Sequence, residues 1–328
     1  MIPRFERVGK YRIKVERDTL TQGIISCMED IRTMRKSLLL LAFILISSIV
    51  VSPQQEKNSD KDQKKPAKIS VDELIAKHIA SIGPVDVIAG IKSRVMVGEG
   101  KLESKLGSTF ILNGPGQIAS QGNKVLYTII LNSPLYPYEK VAFDGNDQTL
   151  GLPNGKRTFL GDFLKSQNSI LKDGLFTGTL STAWPLLDLK SRKSVRLEYA
   201  GTSKIDDRQC YKLKYSSGRS GDLRTTLYFD AETYRHIRTT YEYTIEPRIG
   251  RSSTDVRSSS RIEHYLLTEN FSDFKMADKL ILPFKYVITV TNEGQIESQP
   301  GTNSREWTFT VLQVYYDQPL EATVFKVS

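Results

Sequence analysis

Histidine and cysteine are scarce, with three His and two Cys among 328 residues. His78, His236 and His264 stand apart from one another and from either cysteine, so no pair has metal-ligand spacing and no zinc site is expected. The patterns HExxH, CxxC and GxSxG are all missing, which removes the local signatures of zincins, dithiol redox proteins and serine esterases. Cys27 and Cys210 lie on opposite sides of a long apolar run, and Cys210 alone follows it. No disulfide is expected there, and a lone strand cysteine reads as a small packed hydrophobe.

The near-matches to catalytic motifs are weak. Gly151 to Arg157 is one residue short of a phosphate loop and has no Ser or Thr after its Lys, so it reads as a hairpin turn. Ser272-Asp273-Phe274-Lys275 fits S-x-x-K, yet the companion S-D-N and K-T-G motifs are absent. Asp206-Asp207 falls in a turn. His78 reads as a satisfied core histidine, and His236 and His264 as members of a solvated sheet face. The residues point to no enzyme, no cofactor and no metal.

The one long apolar run, Leu38 to Val51, is broken only by Ser47-Ser48 and entered through Met34-Arg35-Lys36. A positive entry, a core shorter than the roughly 20 residues that span a bilayer, and small residues at the exit read as a secretory signal. An uncleaved inner-membrane anchor is the alternative, because Pro53 follows the best cleavage site. The expected organisation is an unassigned extension at 1–33 with Met34 as the true start, a signal at 34–52, a disordered linker at 53–69, and one domain at 70–328, exported to the periplasm. Residues 1–52 carry 9 Lys or Arg and 5 Asp or Glu, so the exported part keeps +5 of the chain's +9. That dispersed excess suits transient contact with anionic lipid headgroups, and it lacks the clustered basic face of a nucleic-acid binder.

Ser70 with Glu73 predicts a capped helix ending at Gly83-Pro84, with Val71, Leu74, Ile75, His78, Ile79 and Ile82 on one stripe. From about Ile91 the period changes to two, and strands punctuated by Gly, Asn, Asp and Pro without βαβ alternation predict an antiparallel sheet of many strands. Leu160 to about Leu189 interrupts it, with Leu160, Phe163, Leu164, Leu171 and Leu175 at helical spacing and Leu180, Trp184 and Leu187 beyond. Arg251 to Arg261, rich in Ser and Arg, reads as a solvated hairpin loop.

Several strand-and-turn signatures occur in a particular order. They are Val141-Ala142-Phe143-Asp144-Gly145-Asn146, Leu197-Glu198-Tyr199-Ala200-Gly201 followed by Cys210-Tyr211-Lys212-Leu213, Leu227 to Thr233, and Phe271-Ser272-Asp273-Phe274 leading to Leu282-Pro283. With the amphipathic first helix and the helical interruption, residues 70–315 resemble the LolA/LolB-like lipoprotein-carrier superfamily. The resemblance implies a mainly β fold: a strongly curved antiparallel sheet forming an unclosed barrel, covered by the N-terminal helix and a helical insert. It further implies a periplasmic, non-enzymatic carrier that shields acyl chains of lipoproteins or other envelope lipids in an apolar cavity. Leu74, Ile79, Tyr127, Ile129, Phe163, Leu164, Leu171, Phe176 and Trp184 are the expected lining, with an ordinary filled core as the alternative reading. In the carrier proper an arginine on an early strand pins the lid, whereas the corresponding strand here reads Lys124-Val125-Leu126-Tyr127 and has none. An envelope sensor that binds a protein partner on the same fold, and an unrecognised hydrolase, are the rival functions.

Overall fold

The computed structural model describes residues 68–105, 109–152, 158–191, 194–245, 263–293 and 304–326. The expected signal, the linker up to residue 67 and the Arg251–Arg261 loop lie outside the described residues. Among those described, no helix is long and apolar enough to cross a membrane.

Helix α1 spans Val71–Ile82, and the Ser70 hydroxyl accepts from the Glu73 amide at 3.2 Å. The Glu73 carboxylate turns to Lys77 one turn on, at 2.8 Å, so its half of the expected capping box is given to an i,i+4 ion pair. Leu74, Ile75, His78 and Ile82 are buried, as the stripe requires. A short helix that sequence periodicity did not suggest, α2 at Val85–Gly90, follows directly after Pro84.

Twelve strands form one antiparallel sheet: β1 Ser93–Ser104, β2 Phe110–Gln121, β3 Lys124–Ile130, β4 Tyr138–Phe143, β5 Gln148–Leu150, β6 Arg196–Ile205, β7 Arg208–Ser216, β8 Arg224–Asp230, β9 His236–Ile245, β10 Glu263–Ala277, β11 Leu280–Glu293 and β12 Ser304–Tyr316. Their order is β5-β4-β3-β2-β1-β12-β11-β10-β9-β8-β7-β6, so among the described residues β5 and β6 are the two edges without a partner strand. Strand β7 keeps the two-residue alternation, while register shifts interrupt the pairing of β6 with β7 and of β8 with β9. The Asp206-Asp207 turn is a two-residue hairpin with φ of 47° and 66°, the left-handed pair that matches strand twist.

The sheet is strongly bent. Tyr127 on β3 and Tyr286 on β11 are four strands apart, about 19 Å on a flat sheet at roughly 4.8 Å per step. Their ring centroids meet at 6.1 Å. Glycines permit this on the inner face, where Gly98 and Gly100 of β1 pair with Gly116 and Gly114 of β2. A Cβ on Gly100 would come within 2.3 Å of Ile129 Cγ2, and one on Gly116 within 2.8 Å of Phe309 Cε2. Those two side chains therefore lie directly on bare backbone. On the outer face a small cluster of Val95, Ala119, Leu126 and Ala142 is covered by Phe325 near the chain end.

The insert links the two unpaired edges across the hollow. It contains α3 at Phe159–Ser166, α4 at Ser169–Lys172 and two short 3-10 turns, Gly178–Leu180 and Pro185–Ser191. Thr158 caps α3 by accepting from the Gly161 amide at 2.9 Å. Gly151 and Leu152 lead from β5 toward this insert, and residues 153–157, the rest of the expected hairpin turn, lie outside the described residues.

Candidate functional site

The insert's apolar side chains enter the curve of the sheet. Leu160, Phe163, Leu164, Ile170, Leu171, Leu175, Phe176, Leu180, Trp184 and Leu186 share one buried cluster with inward residues of β1, β3 and β7–β12. Of the nine expected lining residues, eight are between 0% and 2% exposed and belong to this cluster, while Ile79 lies half-buried at its fringe. Tyr127 meets Phe176 edge-on at 5.9 Å, and Phe163 meets Tyr243 at 5.3 Å. Eight of the nine thus lie within one large buried core, the filled-core alternative, with Ile79 at its edge. A described cavity of about 300 Å³ lies elsewhere, between α2 and the ends of β10–β12, lined by Val87, Gly90, Ile91, Lys279, Leu280 and Tyr316 among others.

A small set of buried polar contacts ties the insert down. Arg94 on β1, 3% exposed, donates from Nη1 to the carbonyls of Thr179 (2.8 Å) and Leu180 (3.3 Å). Burial pulls its guanidinium down to about 10, and the ring of Tyr316 lies beside it at 5.7 Å. An arginine therefore does hold the insert, which corrects the expectation drawn from Lys124 to Tyr127. It comes from β1 instead of β3. A charged residue on a strand reads as solvent-facing, but Arg94 has the same parity as the core residue Met96 and so points inward.

Glu269 on β10 holds the middle of the insert. Its Oε1 accepts from the Thr177 amide at 2.8 Å and from the Tyr286 hydroxyl, and its Oε2 from the Tyr241 hydroxyl at 2.7 Å. Burial raises this carboxyl to about 7, with the three donors opposing the rise. Thr177 takes a left-handed φ of 66° to present its amide, a conformation a β-branched residue adopts rarely. Nearer the insert's start, Glu139 on β4 accepts from Thr158 Oγ1 at 2.7 Å and from Tyr136, and burial raises it also to about 7. Asp173, buried, pairs with Arg219 at 2.6 Å.

The far end rests on histidines. Trp184 Nε1 donates to His78 Nε2 at 3.1 Å, and the other ring nitrogen of His78 lies 3.1 Å from the Tyr234 carbonyl. That pairing requires a neutral ring with its proton on Nδ1, and burial lowers its pKa to about 4. His236, expected on a solvated face, is instead fully buried, stacked on Trp184 at 4.6 Å and bonded to Thr239 at 2.8 Å. The cause is a register shift between Tyr228 and Phe229, where β8 pairs Tyr228 with Arg238 but Phe229 with His236. That extra residue reverses the parity and turns His236 inward. It is a signal that alternation read alone misses.

The remaining candidates carry no convergent chemistry. Ser272 sits on β10 with Lys275 turned away to Asp273 at 2.6 Å. Cys210 is buried beside Ile205 and Ile237, and burial pushes its thiol up to about 11, so it is a packed hydrophobe as expected. Among the described residues no three His, Cys, Asp or Glu side chains form a metal-binding group.

No protein-family model and no curated protein sequence matches the chain. Solved structures do. Those similar to it include a LolA superfamily protein from Nitrosomonas europaea (12% identity, TM-score 0.43, covering 79% of this chain and 99% of that one). A putative outer membrane lipoprotein-sorting protein domain from Vibrio parahaemolyticus has 14% identity and a TM-score of 0.41, over 77% of this chain and 94% of that one. A DUF1329 family protein from Desulfovibrio piger has 11% identity and a TM-score of 0.42, over 79% and 98%. The architecture, an unclosed antiparallel sheet among the described residues with an N-terminal helix and an insert across its hollow, is the mainly β fold that the sequence resemblance implied. The likeness brings no ligand with it.

Proposed function

We propose that the protein is an exported, non-catalytic binding protein that takes up acyl chains of envelope lipids or lipoproteins in the curve of its sheet, with the insert giving way to admit them. The observation that carries this reading is that the hollow is occupied by a segment joining two unpaired edges, built of short helices and held by a few discrete polar contacts. Leu175, Phe176, Leu180 and Trp184 are four large side chains whose burial is worth on the order of 6–12 kcal/mol. An acyl chain of about fifteen methylenes gains on the order of 12 kcal/mol at about 0.8 kcal/mol each. The two occupants are thus closely matched, so an acyl chain can replace that part of the insert without large net cost.

Native mass spectrometry of the protein purified from its own envelope tests this. Co-purified lipid at near-unit stoichiometry is the expected result. A stoichiometric protein partner with no lipid replaces the carrier by an interaction module, and turnover of ester or peptide substrates that Ser272→Ala abolishes replaces it by an enzyme.

A further inference from the structure

The floor of the hollow contains one polar island. Glu269 is fully buried and carries three donors, two from the sheet (Tyr241 and Tyr286) and one, the Thr177 amide, from the insert. Among the described residues no cation pairs with it. The fully buried ring of Tyr127 touches Phe176, the neighbour of Thr177, and Tyr286, one of the donors to Glu269. All around are apolar side chains, with Phe271 stacked on Tyr286 at 5.2 Å.

A buried carboxyl that draws one of its three donors from the insert has its full set only while the insert is in place, since each buried polar group needs a partner. That arrangement suits a site whose occupant changes. When the insert lifts, Glu269 loses the Thr177 N–H and keeps a vacant acceptor position. An apolar chain alone leaves it empty. A ligand that presents an N–H fills it, and the Thr177 N–H is the chemical template.

We propose that Glu269, with Tyr241 and Tyr286, forms a polar subsite that selects acyl chains joined to their head through an amide, the ligand N–H replacing that of Thr177 at Glu269. This rests on the acyl-binding reading above and adds the chemistry at the chain's polar end. An ester of the same shape has no donor, so it leaves the Glu269 acceptor position empty. Discrimination against a ligand lacking the required donor is strong where the site's polar groups are buried.

The test uses an isosteric pair, N-methyldecanamide and methyl decanoate, which compete with a fluorescent apolar dye bound to the full chain. It is run at pH 8, above the carboxyl's raised value of about 7, so that Glu269 is ionised and can only accept. The amide is expected to bind at least about tenfold more tightly than the ester. Glu269→Gln, a neutral and weaker acceptor, is expected to reduce that ratio to less than about threefold. Equal affinities for the two ligands in the unaltered protein overturn the subsite while leaving acyl binding intact, and so does a ratio that Glu269→Gln fails to change. Binding of neither ligand removes the acyl-binding reading and this subsite with it. The comparison in the unaltered protein decides the matter even if Glu269→Gln fails to fold.

Discussion

Replacing Glu269 by Gln has an effect on stability whose sign depends on pH. Burial raises the folded-state carboxyl to about 7 from the ordinary 4.5, so the native protein retains a proton that the unfolded chain has already released. The stabilisation is complete below about pH 4.5 and is lost as pH rises through 7. At about 1.4 kcal/mol per pH unit, the loss between pH 5 and pH 8 is on the order of 2–3 kcal/mol. Glutamine does not titrate, so that component vanishes in the variant. Glu139 shifts in the same direction, and His78, lowered to about 4, contributes stability that is lost as pH falls from 6.5 toward 4. Both are shared by the two proteins and cancel in the comparison. Urea unfolding at pH 5 and pH 8 measures the quantity. The free-energy difference between the two proteins is expected to move by on the order of 2–3 kcal/mol in favour of the variant at the higher pH. A difference constant to within about 0.5 kcal/mol refutes the claim that this carboxyl is held in a low-dielectric interior.

Two further outcomes follow from the geometry. Arg94→Met removes two hydrogen bonds to insert carbonyls but also relieves a buried cation. The unfolding midpoint is therefore expected to change little, while hydrogen exchange of the amides from Thr177 to Trp184 quickens by about tenfold or more. Gly100→Val places a branched side chain where a Cβ alone would be 2.3 Å from Ile129. It is expected to destabilise by about 1–3 kcal/mol in urea unfolding, with partial recovery in the double variant that also carries Ile129→Ala.

The parts of the fold set by local pattern were legible in the sequence. Ser70 and Glu73 begin α1, the alternation of Tyr211, Leu213 and Tyr215 marks β7, and the apolar spacing from Leu160 marks the insert. Eight of the nine expected lining residues are buried because each is large, apolar and on the inward phase of its element. The parts that depend on pairing between distant strands were not legible. His236 faces inward only because of a bulge opposite β8, and Arg94 is buried only because the insert returns over β1 to supply carbonyls. Nothing local singles out Glu269 or Glu139, since the donors that satisfy them come from residues such as Tyr241, Tyr286 and Thr158 on other elements. Strand periodicity records which face a residue takes, and it carries no record of which polar groups meet across a hollow.

The central claim is that the insert and an acyl chain compete for the same space. Hydrogen exchange of residues 159–191, measured with and without N-methyldecanamide, addresses it directly. The account expects ligand to speed exchange through the insert, above all at Thr177 to Trp184, while amides of β10 and β11 stay protected. Ligand bound at saturation with insert protection unchanged contradicts it, because the chain would then be held somewhere other than beneath that segment.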